Sequence, residues 1–125
     1  FQKEVVDRLI AKPSSKAYGR LSVITQWLCH TKYEFDINSR AFTPSPNVTS
    51  SLITLKPRPN ITLKPNFENM EKVTAAAFGQ RRKMLRTSLK SLDINMIALG
   101  INPKLRAENL TVEEYVSLAN AIEEK

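Results

Sequence analysis

Cysteine, histidine and glycine are scarce: the chain has one, one and three of them in 125 residues. A single cysteine, Cys29, excludes a disulfide within the chain and fits a reducing compartment. Without a second histidine, a zinc site at Cys29 and His30 is not supported. Gly19, Gly79 and Gly100 stand too far apart to form a Gly-x-Gly loop that cradles a nucleotide.

Long apolar runs and a starting methionine are missing too. No 18-residue apolar stretch occurs, so we predict no membrane span and no membrane partner. The sequence begins at Phe1, and its first apolar residues have no capping residue ahead of them. We therefore expect a fragment of a longer, cytoplasmic protein, in which a missing signal peptide says nothing about targeting.

The charge of the chain is high and unevenly distributed. The formal net charge is +7, and residues 72–90 hold six cations and no acid, whereas residues 91–125 hold three cations against six acids. Such a distribution indicates a surface oriented towards a nucleic-acid backbone. Aromatic residues make up only 7% of the chain and none alternates with the cations, which favours phosphate contacts over base stacking.

The densest cations lie between Arg81 and Lys90. Two stripes recur there at helical spacing, an apolar stripe of Leu85, Leu89 and Leu92 and a cationic stripe of Arg82, Arg86 and Lys90. The spacing predicts a basic helix whose like charges repel by a few tenths of a kcal/mol per pair. An anionic partner would offset that repulsion, and the alternative is a solvated basic face without a partner.

The pattern ahead of this segment predicts a mixed α+β organisation. Apolar periodicity predicts helices at about residues 2–11 and 19–30, and alternation predicts strands around Tyr33–Ile37 and Ser51–Lys56. Three prolines within residues 56–65 predict a semi-rigid linker.

The pattern after the linker predicts a small all-helical domain. Residues 67–77 fit one helix, and Asn102-Pro103 predicts another helix start. Thr111 with Glu114 predicts a capping box for a last helix from Val112, with Leu110 and Tyr115 as its apolar staple.

The basic segment also carries a family resemblance. Phe78-Gly-Gln-Arg-Arg-Lys83, with Leu85 and Ser88-Leu89 after it, resembles the C-terminal signature of the ribosomal RNA adenine dimethyltransferases of the KsgA/RsmA type. Three more blocks agree in order and spacing, namely Gln2-Lys-Glu-Val5, Tyr18-Gly-Arg-Leu-Ser-Val23 and Phe42-Thr-Pro-Ser-Pro-Asn-Val48. Four ordered blocks span essentially the whole chain and are far more specific than any one of them.

The resemblance implies a fold and an activity. Residues 1–58 would end a Rossmann-like methyltransferase domain with two helices and an antiparallel β-hairpin, residues 59–66 would be a linker, and residues 67–125 a helical rRNA-binding domain. The full-length enzyme would use S-adenosylmethionine to dimethylate N6 of two adjacent adenines in small-subunit rRNA, with a role in ribosome biogenesis. The family's Gly-rich cofactor loop and Asn-Leu-Pro-Tyr motif would precede Phe1. This chain alone is therefore expected to bind no cofactor and to be inactive.

The resemblance also implies roles for single residues. Phe42 would lie against the flipped target adenine. The alternative is that Phe42 is a loop residue whose side chain packs on the sheet. Asn47 and Thr49 depart from the family pattern, which usually has a lysine and an aspartate there. The implied rRNA-binding residues are Arg81, Arg82, Lys83 and Arg106, to which the basic stripe adds Arg86 and Lys90. For Arg106, the alternative is an ion pair with Glu108 or Glu113.

Two further expectations follow from the resemblance. Without the rest of its sheet, the N-terminal part would expose apolar surface through which copies of the chain self-associate. Two non-enzymatic alternatives use the same scaffold: an RNA-binding ribosome-assembly protein and a relative that became a transcription factor. The upstream reading frame discriminates them, because intact cofactor and Asn-Leu-Pro-Tyr motifs favour the enzyme.

Overall fold

The computed structural model describes residues 1–37, 49–58 and 65–123 of the chain. Within these ranges the elements are α1 (Lys3–Leu9), α2 (Arg20–Leu28), β1 (Cys29–Ile37), β2 (Ser50–Pro57), α3 (Phe67–Gly79), α4 (Leu85–Ser88) and α5 (Val112–Glu123). Short 3-10 helices occupy Lys90–Leu92, Ile97–Leu99 and Ala107–Asn109. This order confirms the predicted α+β fold class. None of the helices in these ranges is long and apolar enough to cross a membrane.

Both predicted N-terminal helices are present and are slightly shorter than the sequence pattern suggested. Helix α1 buries Val6 and Leu9. At the start of α2, the Gly19 N–H donates to the Ser22 hydroxyl at 3.1 Å, which satisfies one of the free N–H groups that a helix start leaves. The Ser22 hydroxyl in turn donates to the Arg8 carbonyl, so the start of α2 is fastened to the end of α1.

Strands β1 and β2 form the predicted antiparallel hairpin. The register pairs Ile37 with Ser50 at the end where the two strands are linked along the chain. A bulge between Tyr33 and Phe35 interrupts the ladder. Because a bulge shifts the side chains that follow it, the strict alternation expected along this strand does not hold through its whole length.

The N-terminal part carries several large apolar side chains that solvent reaches. They are Phe1, Leu21, Tyr33, Phe35, Leu52 and Leu55. Phe35 is 55% exposed, and Leu52, its partner across the hairpin, is 45% exposed. The expected apolar surface is therefore confirmed. Exposed apolar side chains that lie together are typical of interaction surfaces, and self-association through this one stays a prediction.

The two long helices of the second part are capped by side chains. The Asn66 side chain accepts from the Asn69 N–H at 2.8 Å at the start of α3. At the start of α5, Thr111 Oγ1 accepts from the Glu114 N–H at 3.1 Å, and the Glu114 carboxylate accepts from the Thr111 N–H at 3.0 Å. The capping box and the start of the last helix at Val112 are thus confirmed.

The prediction of one basic helix across residues 81–90 is wrong. Only Leu85–Ser88 is α-helical, whereas Arg81–Lys83 lie in a turn. Met84 is extended and pairs with Arg106 in an isolated antiparallel bridge. Because this bridge engages the Met84 backbone with a distant segment, a helix cannot run continuously through it. The repulsion that we expected between like charges on one helix therefore does not arise.

The prediction of a helix start at Asn102-Pro103 is wrong as well. The Asn102 side chain accepts from the Lys104 N–H at 2.9 Å, and the Asn102 carbonyl accepts from the Leu105 N–H at 3.1 Å. Asparagine commonly closes turns through these two kinds of bond. The segment therefore forms a turn that leads into the bridge at Arg106.

One buried cluster joins the two parts of the chain. Tyr18 of the N-terminal part shares it with Leu85, Leu110 and Tyr115. The Phe78 ring lies 6.0 Å from the Tyr18 ring and 5.6 Å from the Tyr115 ring. Burial raises the pKa of both tyrosine hydroxyls, which remain protonated donors. The domain boundary between the two parts stays a prediction.

Candidate nucleic-acid interface

Five of the six cations that we predicted to face RNA are exposed. They form what we call the cation face: Arg82, Lys83, Arg86, Lys90 and Arg106. None of their side chains forms an ion pair with another residue in the described ranges. The alternative of an ion pair from Arg106 to Glu108 or Glu113 is therefore not realised. These charges are free to attract an anionic partner.

Backbone pairing brings Arg106 beside the segment that carries Arg86. The Leu85 N–H donates to the Leu105 carbonyl at 2.7 Å, and the Arg86 N–H donates to the Pro103 carbonyl at 2.9 Å. With the Met84–Arg106 bridge, these bonds hold residues 103–106 against residues 84–86. The structure therefore groups cations that the sequence places in two separate segments.

Sequence reasoning missed Lys104. Its side chain is exposed, and it lies on the stretch that pairs with the start of α4. A single lysine next to a proline turn gives no periodic signal, so only the backbone pairing identifies it. Lys104 extends the positive charge beside Arg106.

Arg81 differs from the other cations because its guanidinium contacts other residues of the protein. Its guanidinium donates to the Lys16 carbonyl at 3.1 Å and lies 3.7 Å from a Glu108 carboxylate oxygen. The guanidinium carbon also lies 5.8 Å from the centre of the Phe78 ring. A planar guanidinium suits such combined stacking and hydrogen bonding. Arg81, whose side chain is only 36% exposed, is therefore less solvated than Arg82 and Lys83, which are exposed.

Several carboxylates of the second part take part in the fold. The spacing of Glu113, Glu114, Glu123 and Glu124 is typical of a solvated helix face, and Glu124 lies outside the described residues. Glu114 instead completes the capping box of α5. Glu123 accepts a hydrogen bond from the Asn66 N–H at the start of α3. Both contribute to the fold rather than to a separate acidic surface.

Phe42 lies outside the described residues, so its role stays a prediction. The strand ends that flank its segment are firmly linked. The Ser51 hydroxyl donates to the Asp36 carboxylate at 2.6 Å, and the Tyr33 hydroxyl donates to the same carboxylate. These bonds, with Lys3 at 3.6 Å, lower the pKa of Asp36 below its usual range. The carboxylate therefore remains charged and ties the two strands together.

The three glycines of the chain do not form a cradle for a nucleotide cofactor. Of the three glycines, only Gly100 has a positive φ, at 75°. A side chain at Gly79 would meet nothing within 4 Å, and one at Gly19 would meet only the Arg81 guanidinium at 3.9 Å. In the described ranges, no group of three His, Cys, Asp or Glu side chains is placed to hold a metal ion. His30 lies 3.2 Å from the Arg58 guanidinium.

Comparison with known proteins identifies the family. A family model described as "Ribosomal RNA adenine dimethylase" matches residues 1–124. Two curated proteins named "Ribosomal RNA small subunit methyltransferase A", from Rhodospirillum rubrum and Mesorhizobium japonicum, are 56% and 48% identical over 98% of this chain. The chain spans 44% of the length of each of these two relatives. It therefore belongs to the ribosomal RNA adenine dimethylase family.

Solved structures support the fold. A dimethyladenosine transferase from Plasmodium falciparum matches 94% of this chain and 53% of its own, with a TM-score of 0.83 and 22% identity. The 23S rRNA methyltransferase ErmE matches 98% of this chain and 52% of its own, with a TM-score of 0.68 and 18% identity. The described elements thus belong to the fold of rRNA methyltransferases.

Proposed function

We propose that this chain is the C-terminal part of an rRNA methyltransferase that dimethylates N6 of two adjacent adenines in small-subunit rRNA. The observation that carries the proposal is the family match over residues 1–124, which agrees with an exposed cation face suited to RNA. S-adenosylmethionine would supply the methyl groups, and a role in ribosome biogenesis in the cytoplasm follows from the substrate.

The two parts of the chain would have different tasks. Residues 1–58 would end the methyltransferase domain and residues 67–125 would dock on the small subunit, with residues 59–66 as the linker. Phosphate contacts from the cation face would set the orientation of the enzyme without reading sequence. Since the chain spans 44% of the length of its curated relatives, we assign cofactor binding and the methyl-transfer step to the remainder of the protein.

Phe42 would contribute to substrate binding. An adenine must leave its stack before its exocyclic nitrogen can be methylated, and an aromatic face stabilises the base once it is out. The bonds among Tyr33, Asp36 and Ser51 fix the ends of the strands on either side of this residue.

Methyl transfer by the full-length protein tests this function. Small subunits that lack the modification would be incubated with the enzyme and labelled S-adenosylmethionine, and the methylated nucleotides would be mapped by mass spectrometry. We expect dimethylation of two adjacent adenines. Binding without any methyl transfer would instead support the non-catalytic RNA-binding alternative.

A second prediction concerns the difference in cofactor binding between this chain and the full-length protein. We expect S-adenosylmethionine to bind the full-length protein and not residues 1–125 alone, because the glycines of this chain form no cradle. Isothermal titration calorimetry on both proteins measures this. Saturable micromolar binding to the isolated chain would show that the cofactor site is misplaced in our account.

A further inference from the structure

The loop of residues 12–17, in the N-terminal part, is bonded directly to the helical part. The Ser14 N–H donates to the Glu108 carbonyl at 2.6 Å, and the Asn109 amide donates to the Ser14 hydroxyl at 3.3 Å. The Tyr18 hydroxyl, just after the loop, donates to the Leu110 carbonyl at 2.7 Å. We call this set of contacts the seam.

Arg81 extends the seam to the cation face. Its guanidinium donates to the Lys16 carbonyl and pairs with Glu108. Arg82 and Lys83 follow Arg81 in the same turn. The seam therefore joins the loop to Arg81, the residue that directly precedes two cations of the predicted RNA-binding surface.

The loop of residues 12–17 carries two further cations. Lys12 and Lys16 are exposed, and neither forms an ion pair within the described ranges. The one carboxylate that takes part in the seam, Glu108, is paired with Arg81. The charges of the two lysines are consequently not neutralised by the groups that hold the loop.

The backbone of the loop is fixed in an uncommon conformation. Ser14 has a φ of 69°, in the left-handed region that non-glycine residues seldom adopt. Its hydrogen bonds to Glu108 and Asn109 hold this conformation. A loop that is already ordered loses little conformational entropy when its side chains bind a ligand, which favours binding.

We propose that Lys12 and Lys16 bind rRNA phosphates together with Arg82 and Lys83, as one surface that crosses the border between the two parts of the chain. This inference rests on the proposed docking to small-subunit rRNA. Its consequence is that RNA contacts both parts at the seam, so docking and the relative position of the two parts are linked. No sequence pattern indicates this surface, because the two lysines belong to a short polar loop far from the basic segment.

The test is the salt dependence of binding to small ribosomal subunits, with the full-length protein as wild type and as the double variant K12A/K16A. Each phosphate bound by a lysine changes the slope of log affinity against log salt by about 0.7–0.9. We expect the double variant to flatten the slope by about one to two units. At 0.1 M salt, affinity should fall about five- to eightfold for each phosphate that the variant no longer binds.

Lys32→Ala is the control for the loss of one exposed lysine away from the seam. Lys32 is 76% exposed and lies on β1, where it pairs with Glu34 at 3.8 Å, so its replacement removes a lysine charge without touching the loop. Thermal unfolding should be unchanged in both variants, because the lysine side chains are exposed. If K12A/K16A binds like wild type, or its affinity falls no further than that of the control, the inference is wrong. If K12A/K16A has no effect but R82A/K83A weakens binding, docking through the cation face stands. If wild type itself shows no salt-dependent binding, the proposed function fails instead.

Discussion

Tyr115→Ala is expected to lower the free energy of unfolding by about 3–5 kcal/mol, the usual cost of removing a large aromatic side chain from a core. Tyr115 is fully buried, stacks on Phe78 and donates its hydroxyl hydrogen to the Ala107 carbonyl at 2.6 Å. The substitution leaves a cavity and an unsatisfied carbonyl, and both effects destabilise the fold. Urea unfolding measures the change.

Tyr115→Phe separates the two effects. It keeps the ring and removes only the donor, so we expect a decrease of about 1–3 kcal/mol from the unpaired Ala107 carbonyl. Ser117→Ala, which removes a solvent-exposed hydrogen bond to the Glu113 carbonyl on the same helix, should stay within about 0.5 kcal/mol of wild type. If Tyr115→Ala costs no more than Ser117→Ala, the cluster that joins the two parts of the chain is not the stabilising core described above.

Replacing all five residues of the cation face by alanine should greatly weaken salt-dependent binding to the small subunit. At about 0.7–0.9 unit per phosphate contact, the slope of log affinity against log salt flattens by about four units if all five bind. Affinity at 0.1 M salt would then fall by about four orders of magnitude. Folding should persist, because the hydrogen bonds that hold Arg86 and Arg106 in place use their backbones. Filter binding over a range of salt concentrations gives the slopes.

Arg81→Ala is the informative control for this experiment. Because the Arg81 guanidinium is engaged by Lys16, Glu108 and Phe78, its removal should cost stability, about 1 kcal/mol, and leave the salt slope unchanged. A slope that falls by about one unit with unchanged stability would show that Arg81 binds phosphate like its neighbours. An unchanged slope in the five-residue variant would reduce the cation face to a solubilising surface.

Local signals in the sequence predicted much of the fold. Thr111 and Glu114 satisfy each other's backbone within one turn, so their spacing along the chain was enough to place the start of α5. The hairpin followed from alternation and from Pro57, at which β2 ends. These features depend on neighbours a few residues apart, and sequence patterns report such neighbours well.

The errors arose where distant contacts decide the local structure. The stripe from Arg82 to Lys90 has helical spacing, yet the bridge from Met84 to Arg106 takes the backbone out of the helix. Arg81 looked equivalent to Arg82 in the sequence, and only the approach of Lys16 and Glu108 distinguishes them. Neither partner lies within helical reach, so no local pattern could reveal the difference.

The candidate site was predicted in part. The cation face was identified because most of its residues cluster in the sequence and match a family signature, and five of the six predicted cations proved to be exposed. Lys104 and the lysines of the seam were missed, since each is isolated along the chain and is brought to its place by backbone hydrogen bonds. The implied role of Phe42 remains a prediction.

The rate of methyl transfer to small subunits, measured over a range of subunit concentrations, tests the central claim most directly. The comparison is between the full-length wild type and its five-residue variant of the cation face. Our account predicts that wild type dimethylates two adjacent adenines and that the variant has a KM raised by at least tenfold with kcat nearly unchanged, because docking and chemistry lie in different parts. Methyl transfer that is absent in wild type, or a variant with an unaltered KM, would contradict it.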